Sequence, residues 1–322
     1  MPRGQKVVKP SCSSSITPPS SSPPWVELPM EITANILQRL GTVEILENAE
    51  RVCSTWWKVC HDPAMWRVID LKYDDPSFKT TRVLEQICRI AVERSQGQLL
   101  KINIDNFGSK DLLDYIAQRS SQLRHLRLVK CYNLAGGLAA VAKNFPLLEE
   151  LHFHSTVITQ DDIESVGCYC PLLKSFILND SVSVIFGLPS SHGDYQALAI
   201  ARSMPKLQHL SLLENTFTNV GLQAILDGCP HLELLDLRRC YNLNLEADLG
   251  RRCRQQIVDL KLPHDSTHDY EFDSGLGHYW AFDDGYKSVF ADIAYDYSHV
   301  LGLRDYQEYD YGYFDEEEDY FN

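Results

Sequence analysis

No stretch of this 322-residue chain approaches the ~18 consecutive apolar residues that a membrane-spanning helix needs, and its first residues hold no apolar segment of the kind a secretory leader carries. Catalytic signatures are equally scarce. There is no Gly-x-x-x-x-Gly-Lys phosphate loop, no Gly-x-Ser-x-Gly elbow and no His-Glu-x-x-His helix. Ten cysteines are present, yet no two form a Cys-x-x-Cys pair, so a zinc-bound RING module has no ligand set here. Cys168 and Cys170 stand one residue apart before Pro171, a spacing assigned to core packing. Together these absences predict a non-catalytic protein without metal or cofactor.

Positive charge is also in short supply. The chain carries 30 basic and 44 acidic residues, a formal net charge of −14. From His264 to Asn322 only Lys287 and Arg304 oppose sixteen Asp and Glu, so this tail accounts for the whole imbalance and the rest of the chain is neutral. Ten of the sixteen tyrosines lie in the same tail. Such an acidic run predicts a solvated tail, with a secondary reading in which it attracts basic partners or screens a neighbouring face. Residues 1–24 hold seven serines and six prolines and predict a disordered leader.

Between these ends lie two patterned regions. Residues 25–71 compress three short helical patterns and a strand into 47 residues. Pro29 opens the first helix, with Glu31 in its first turn and Ile32, Ile36, Leu37 and Leu40 at helical spacing; Gly41 is expected to stop it in a left-handed conformation and Thr42 to cap the next. Four positive charges meet seven negative ones in this module, which argues against a DNA-reading three-helix unit. So much apolar bulk in fewer than ~60 residues predicts a unit that leans on a partner.

The order Leu28-Pro29-Met30-Glu31-Ile32, Ile36-Leu37, Leu40, Ile45-Leu46, Val52-Cys53, Trp56-Trp57, Asp62-Pro63-Ala64-Met65-Trp66 and Ile69-Asp70-Leu71 resembles the F-box. That resemblance implies docking onto the adaptor Skp1, and through it onto a cullin and a RING subunit. It places Leu28, Pro29, Ile32, Ile36, Leu37, Leu40, Ile45 and Val52 at or behind the Skp1 contact, with Trp56 and Trp66 anchoring the helices. The competing expectation for each is simply the module's own core.

The second region, 72–263, is a repeat. The pattern Leu-x-x-Leu-x-Leu starts at Leu99, Leu123, Leu148, Leu173, Leu207, Leu232 and Ile257, at steps of 24, 25, 25, 34, 25 and 25 residues. Pro146, Pro171, Pro205 and Pro230 each fall two residues before a start, where a helix should end. Cys131, Thr156, Ser181, Asn215, Cys240 and Asp265 fall eight after, suited to the turn leaving each strand. One strand and one helix per unit resembles the leucine-rich repeat in its cysteine-containing variety. Cys131, Cys170, Cys229 and Cys240 recur in phase and are therefore expected as buried reduced thiols in the nucleus or cytoplasm. Trp66, Ile69 and Leu71 match the same three positions, so the helical module should run directly into the first strand. The predicted architecture is α/β: a helical F-box followed by a short solenoid of about seven repeats, with a concave parallel sheet and helices outside.

Alternation along each strand assigns His125, Arg127, Glu150, His152, His154, Ser175, Ile177, Asn179, His209, Ser211, Leu213, Leu234, Asp236 and Arg238 to the concave face, where a protein target would bind. The histidines among them follow repeat geometry rather than zinc-ligand spacing. The long 34-residue step makes Val184–Pro189 an apolar insertion, read either as a binding rim or as a loop tucked on its neighbours, with a helix starting near Tyr195. A stripe over residues 286–303 (Val289, Phe290, Ile293, Ala294, Tyr297, Val300, Leu301) suggests a helix covering the end of the stack. The resemblance implies a non-catalytic substrate receptor of a Skp1-cullin-F-box ubiquitin ligase, similar to plant F-box proteins with short repeat arrays. The alternatives are a Skp1-bound scaffold or a small-molecule sensor.

Overall fold

A computed structural model describes residues 28–72, 80–179, 190–246 and 248–270. The leader, the apolar insertion 184–189 and the proposed helix at 286–303 lie outside them.

The N-terminal module consists of α1 (Met30–Leu37), α2 (Thr42–Glu47), a 3-10 turn (Ala49–Arg51), α3 (Ser54–Cys60) and a second 3-10 turn (Pro63–Trp66), followed by β1 (Val68–Leu71). Two local expectations change. Pro29 is the N-cap residue, with ψ of 147°, and the helix begins one residue later. Gly41 is extended, with φ of −67°, and caps α2 rather than terminating α1 in a left-handed turn; Thr42 is already helical. Asp62 caps the second turn by accepting from the Ala64 amide at 2.9 Å, with Pro63 supplying its first residue.

The remaining elements alternate: α4 (Thr81–Arg94), β2 (Lys101–Asp105), α5 (Lys110–Arg119), β3 (His125–Val129), α6 (Gly137–Val141), β4 (Glu150–His154), α7 (Gln160–Tyr169), β5 (Ser175–Asn179), α8 (Ser190–Ser203), β6 (His209–Ser211), α9 (Asn219–Gly228), β7 (Leu234–Asp236), α10 (Asp248–Gln256) and β8 (Asp259–Lys261). All eight strands pair in parallel in sequence order, the topology of a solenoid. Every strand from β2 onward begins two residues after a repeat start, and β1 pairs with β2 through Ile69↔Ile102 and Leu71↔Ile104. The helical module does feed the first strand. α8 begins at Ser190, five residues before the expected Tyr195.

One core runs the length of the molecule. Leu99, Leu123, Leu148, Leu207 and their in-phase partners Ile102, Leu126, Leu151, Phe176, Leu210 and Leu235 are buried in it, as are the helix residues Leu138, Val141, Phe145, Leu222, Ile225 and Leu226. Cys131, Cys170, Cys229 and Cys240 are buried as expected, whereas Cys168 is exposed and takes no part in the core. At three repeats the residue eight after the start closes the turn back onto the preceding repeat. Cys131 donates to the Phe107 carbonyl at 2.7 Å, Thr156 to Leu128 at 3.0 Å and Cys240 to Leu212 at 2.9 Å.

In five repeats the residue just before it is left-handed: Asn106, Lys130, Ser155, Glu214 and Arg239 have φ between 46° and 65°. Its amide donates to the carbonyl at the end of the next strand, as Lys130 does to His154 and Ser155 to Asn179. That bond offsets a conformation that non-glycine residues otherwise avoid. On the convex side Gly167 and Gly228 sit where a Cβ would collide with Ser203 and with the Ala201 backbone, so these glycines let adjacent helices approach closely. Among the described residues no helix is long and apolar enough to cross a membrane.

Candidate functional site

Two surfaces stand out. The first is on the N-terminal module. Thr33 and Leu37 face inward on α1, with the Thr33 hydroxyl donating to the Pro29 carbonyl at 3.2 Å; this turns Met30, Ile32 and Ile36 to solvent. α3 packs against α1 and against the turn that precedes Val52. On α3 Val59 and Cys60 are buried, Trp56 leans against the core, and Trp57 points outward, its ring stacked on His61 with centroids 4.0 Å apart. Met30, Ile32, Ile36, Val52 and Trp57 are each about half exposed, at 47–55%. Five of the thirteen large exposed apolar side chains of the described chain thus fall within residues 30–57, while the other eight are scattered from Val68 to Val258.

The predicted docking residues divide accordingly. Pro29, Ile32, Ile36 and Val52 are exposed; Leu28, Leu40 and Trp56 are half-buried. Leu37, Ile45 and Trp66 are buried and belong to the module's own core. Trp66 does anchor that core, donating its indole N–H to the Cys60 carbonyl at 2.8 Å. Sequence reasoning missed Met30 and Trp57. Helical spacing could have found the tryptophan, because a helix that buries positions 59 and 60 turns 56 inward and its neighbour 57 out.

The ridge is held rigidly to the repeats. Arg94 of α4 pairs with Glu50 at 2.6 Å and lies over the Trp66 ring, and the Thr42 hydroxyl accepts from the Asp70 amide of β1 at 3.2 Å.

The second surface is the concave sheet. Register places His125, Glu150, Ser175, His209 and Leu234 in one row, Arg127, His152, Ile177, Ser211 and Asp236 in the next. His125 and Glu150 approach to 3.4 Å; His125, Arg127, Ser175 and Ile177 are partly exposed and His209 is exposed. His152, His154, Asn179, Leu213, Asp236 and Arg238 are buried, which corrects their expected role as an open surface. After β8, residues 264–270 return over part of this face. Tyr270 is hydrogen-bonded to His154 and Asn179, and Arg238 bonds Asp269 and the Ser266 carbonyl. Burial, with Arg127 and Lys130 nearby, pushes the His154 pKa down to about 3, so the ring is neutral. Among the described residues no three His, Cys, Asp or Glu side chains group as a metal site.

Comparison with known proteins bears on the first surface directly. Residues 25–72 match the F-box-like family. The chain is 45% identical over 273 residues to the F-box protein SKIP19 of Arabidopsis thaliana, covering 81% of this chain and 86% of that protein. It belongs to the F-box/LRR-repeat family. Putative F-box/LRR-repeat protein 22 of the same plant is 44% identical, with 77% of this chain and 80% of that protein covered. Putative F-box/LRR-repeat protein 23 is 48% identical over 75% of this chain, which spans 54% of that longer protein. Among solved structures, the yeast complex of Rad7 and Elc1 is similar with a TM-score of 0.43 at 15% identity, over 69% of this chain and 57% of that one. The exposed ridge is therefore the outer surface of an F-box.

Proposed function

We propose that this F-box/LRR-repeat protein is the substrate-recognition subunit of a Skp1-cullin-F-box ubiquitin ligase and is not itself catalytic. The F-box binds a Skp1-type adaptor, which brings the cullin and RING subunits, and the concave face of the repeats holds a protein target. One observation carries the reading: half-exposed Met30, Ile32, Ile36, Val52 and Trp57 concentrate on three packed elements of a family-matched F-box. Apolar side chains left in water at such density mark a surface completed by another protein.

The mechanism is positional. The Arg94–Glu50 pair and the β1–β2 ladder make adaptor-binding module and repeat sheet a single body. A target on the sheet then sits at a fixed distance from the ubiquitin-carrying subunit, which raises the local concentration of its lysines. The test is affinity capture with the wild-type protein beside a Leu28→Ala/Pro29→Ala variant. Adaptor, cullin and RING subunits should co-purify with the wild type and fall together in the variant, while target proteins remain on both. Cullin absent from wild-type captures that contain the adaptor would favour a scaffold role instead.

A further inference from the structure

The segment after β8 has its own recognition chemistry. The chain turns at Asp265, whose carboxylate accepts from the Leu262 amide at 2.7 Å, and then runs back along the sheet. Arg239 donates to Thr267 Oγ1 at 2.9 Å, Arg238 Nη1 donates to the Ser266 carbonyl at 2.8 Å and to the Asp269 carboxylate, and Lys261 reaches Asp269 at 3.2 Å. Tyr270 ends the run over β4 and β5, where Asn179 Nδ2 donates to its phenol oxygen and its ring stands 5.8 Å from that of His154.

An edge cap would not be built this way. Tyr270 lies three to four strands back from β8, about 14–19 Å at the ~4.8 Å spacing of neighbouring strands. Val258, which leads into the terminal strand, stays 88% exposed. The run covers the face and leaves the edge open.

The sheet side of the contact is preorganised. Asn179 spends its carbonyl oxygen on Ser211 Oγ and the Leu213 amide, both at 3.0 Å, which aims its NH2 group at the phenol. Arg238 is 3% exposed and forked onto Asp236 through Nε and Nη2, leaving Nη1 for the incoming carboxylate and carbonyl. Neutral His154 presents Nδ1 within hydrogen-bond reach of the phenol oxygen, 3.1 Å away. These groups read a carboxylate followed directly by a tyrosine. They are polar, so water can satisfy them when the segment leaves; an apolar cap would have no such exchange.

We propose that the concave face between β4 and β8 is a binding site for an Asp-Tyr segment of the target protein, and that Asp269-Tyr270 occupies it in cis as a competitor the target displaces. The proposal deepens the ligase reading by naming the chemistry of the target. Seven residues, 262–268, tether the occupant to β8, so its effective concentration is in the millimolar range and the apparent affinity for a target is reduced accordingly. The pair Asp-Tyr recurs at 296–297, 305–306, 310–311 and 319–320 in the acidic tail.

The test uses the purified full chain and a fluorescent peptide copying residues 264–272. An Asp269→Asn/Tyr270→Ala variant should bind this probe at least tenfold more tightly than the wild type, and replacing the probe's tyrosine by phenylalanine should remove most of that gain. Equal binding by the two proteins, or undiminished binding of the phenylalanine probe, overturns the proposal. So does a variant that loses its cooperative melt and binds nothing, because the segment would then be part of the fold. Skp1 capture is read on the same two proteins: its absence from both counts against the ligase reading while leaving the probe result intact.

Discussion

The F-box ridge and the concave sheet are opposite solutions to presenting a surface. The ridge is apolar and uncovered, with Ile32 and Ile36 standing in water. On the sheet the polar groups Asn179, His154 and Arg238 are covered, satisfied by the chain's own residues 264–270. Apolar area gives affinity without fine geometry and suits a constant partner. Directed hydrogen bonds discriminate, because an ill-matched ligand leaves buried donors unpaired, and that suits a choice among targets.

The sharpest way to break this comparison is to confuse ridge with core. Trp66→Ala removes a buried indole and its bond to Cys60, and should cost about 3–5 kcal/mol, abolishing adaptor capture together with the melting transition of the module. Ile36→Asp alters an exposed side chain instead. Adaptor affinity should fall roughly 30-fold or more, the ~2 kcal/mol of an interface hot spot, with circular dichroism and thermal midpoint unchanged.

A smaller effect should separate the surfaces by pH. The folded pKa of His154 is depressed to about 3 by burial and nearby positive charge, so stability is fully present above its unfolded value of ~6.5 and is lost as pH falls toward 3. Asp269 acts in the same direction lower down: hydrogen bonds from Arg238 and Lys261 hold its carboxyl at about 2, so its contribution is present above ~4 and is lost as pH falls through 2. Acid should therefore loosen residues 264–270 before it affects the ridge. Thermal midpoints between pH 7 and 4.5 should fall less steeply in His154→Gln than in the wild type, while adaptor binding at pH 6 matches that at pH 7. The smallest change expected is from Val258→Lys, an isolated exposed apolar residue: stability within about 0.5 kcal/mol of wild type and adaptor capture unaltered.

Much of this was legible beforehand because it is periodic. Seven repeat starts, six leucines and Ile257, and four in-phase prolines locate strands, helix ends and buried cysteines through spacing alone. The ridge was half legible: the motif named the module, but Leu37, Ile45 and Trp66 could be told from Ile32 and Ile36 only by seeing which way α1 and α3 rotate. What stayed hidden is non-local. Nothing near Tyr270 in the chain announces His154, 116 positions away, or Asn179, 91 away. The left-handed turns were hidden too, since Lys130, Ser155 and Glu214 are not glycines and are held in that conformation by bonds to the following repeat.

The most direct measurement is calorimetric titration of a purified Skp1-type adaptor into the wild-type chain and into an Ile32→Asp/Ile36→Asp variant whose circular dichroism matches it. The wild type should bind saturably, one to one, and the variant should give no detectable heat of association. Equal binding by both, or none by a folded wild type, would contradict the claim that the exposed F-box ridge is one half of an interface.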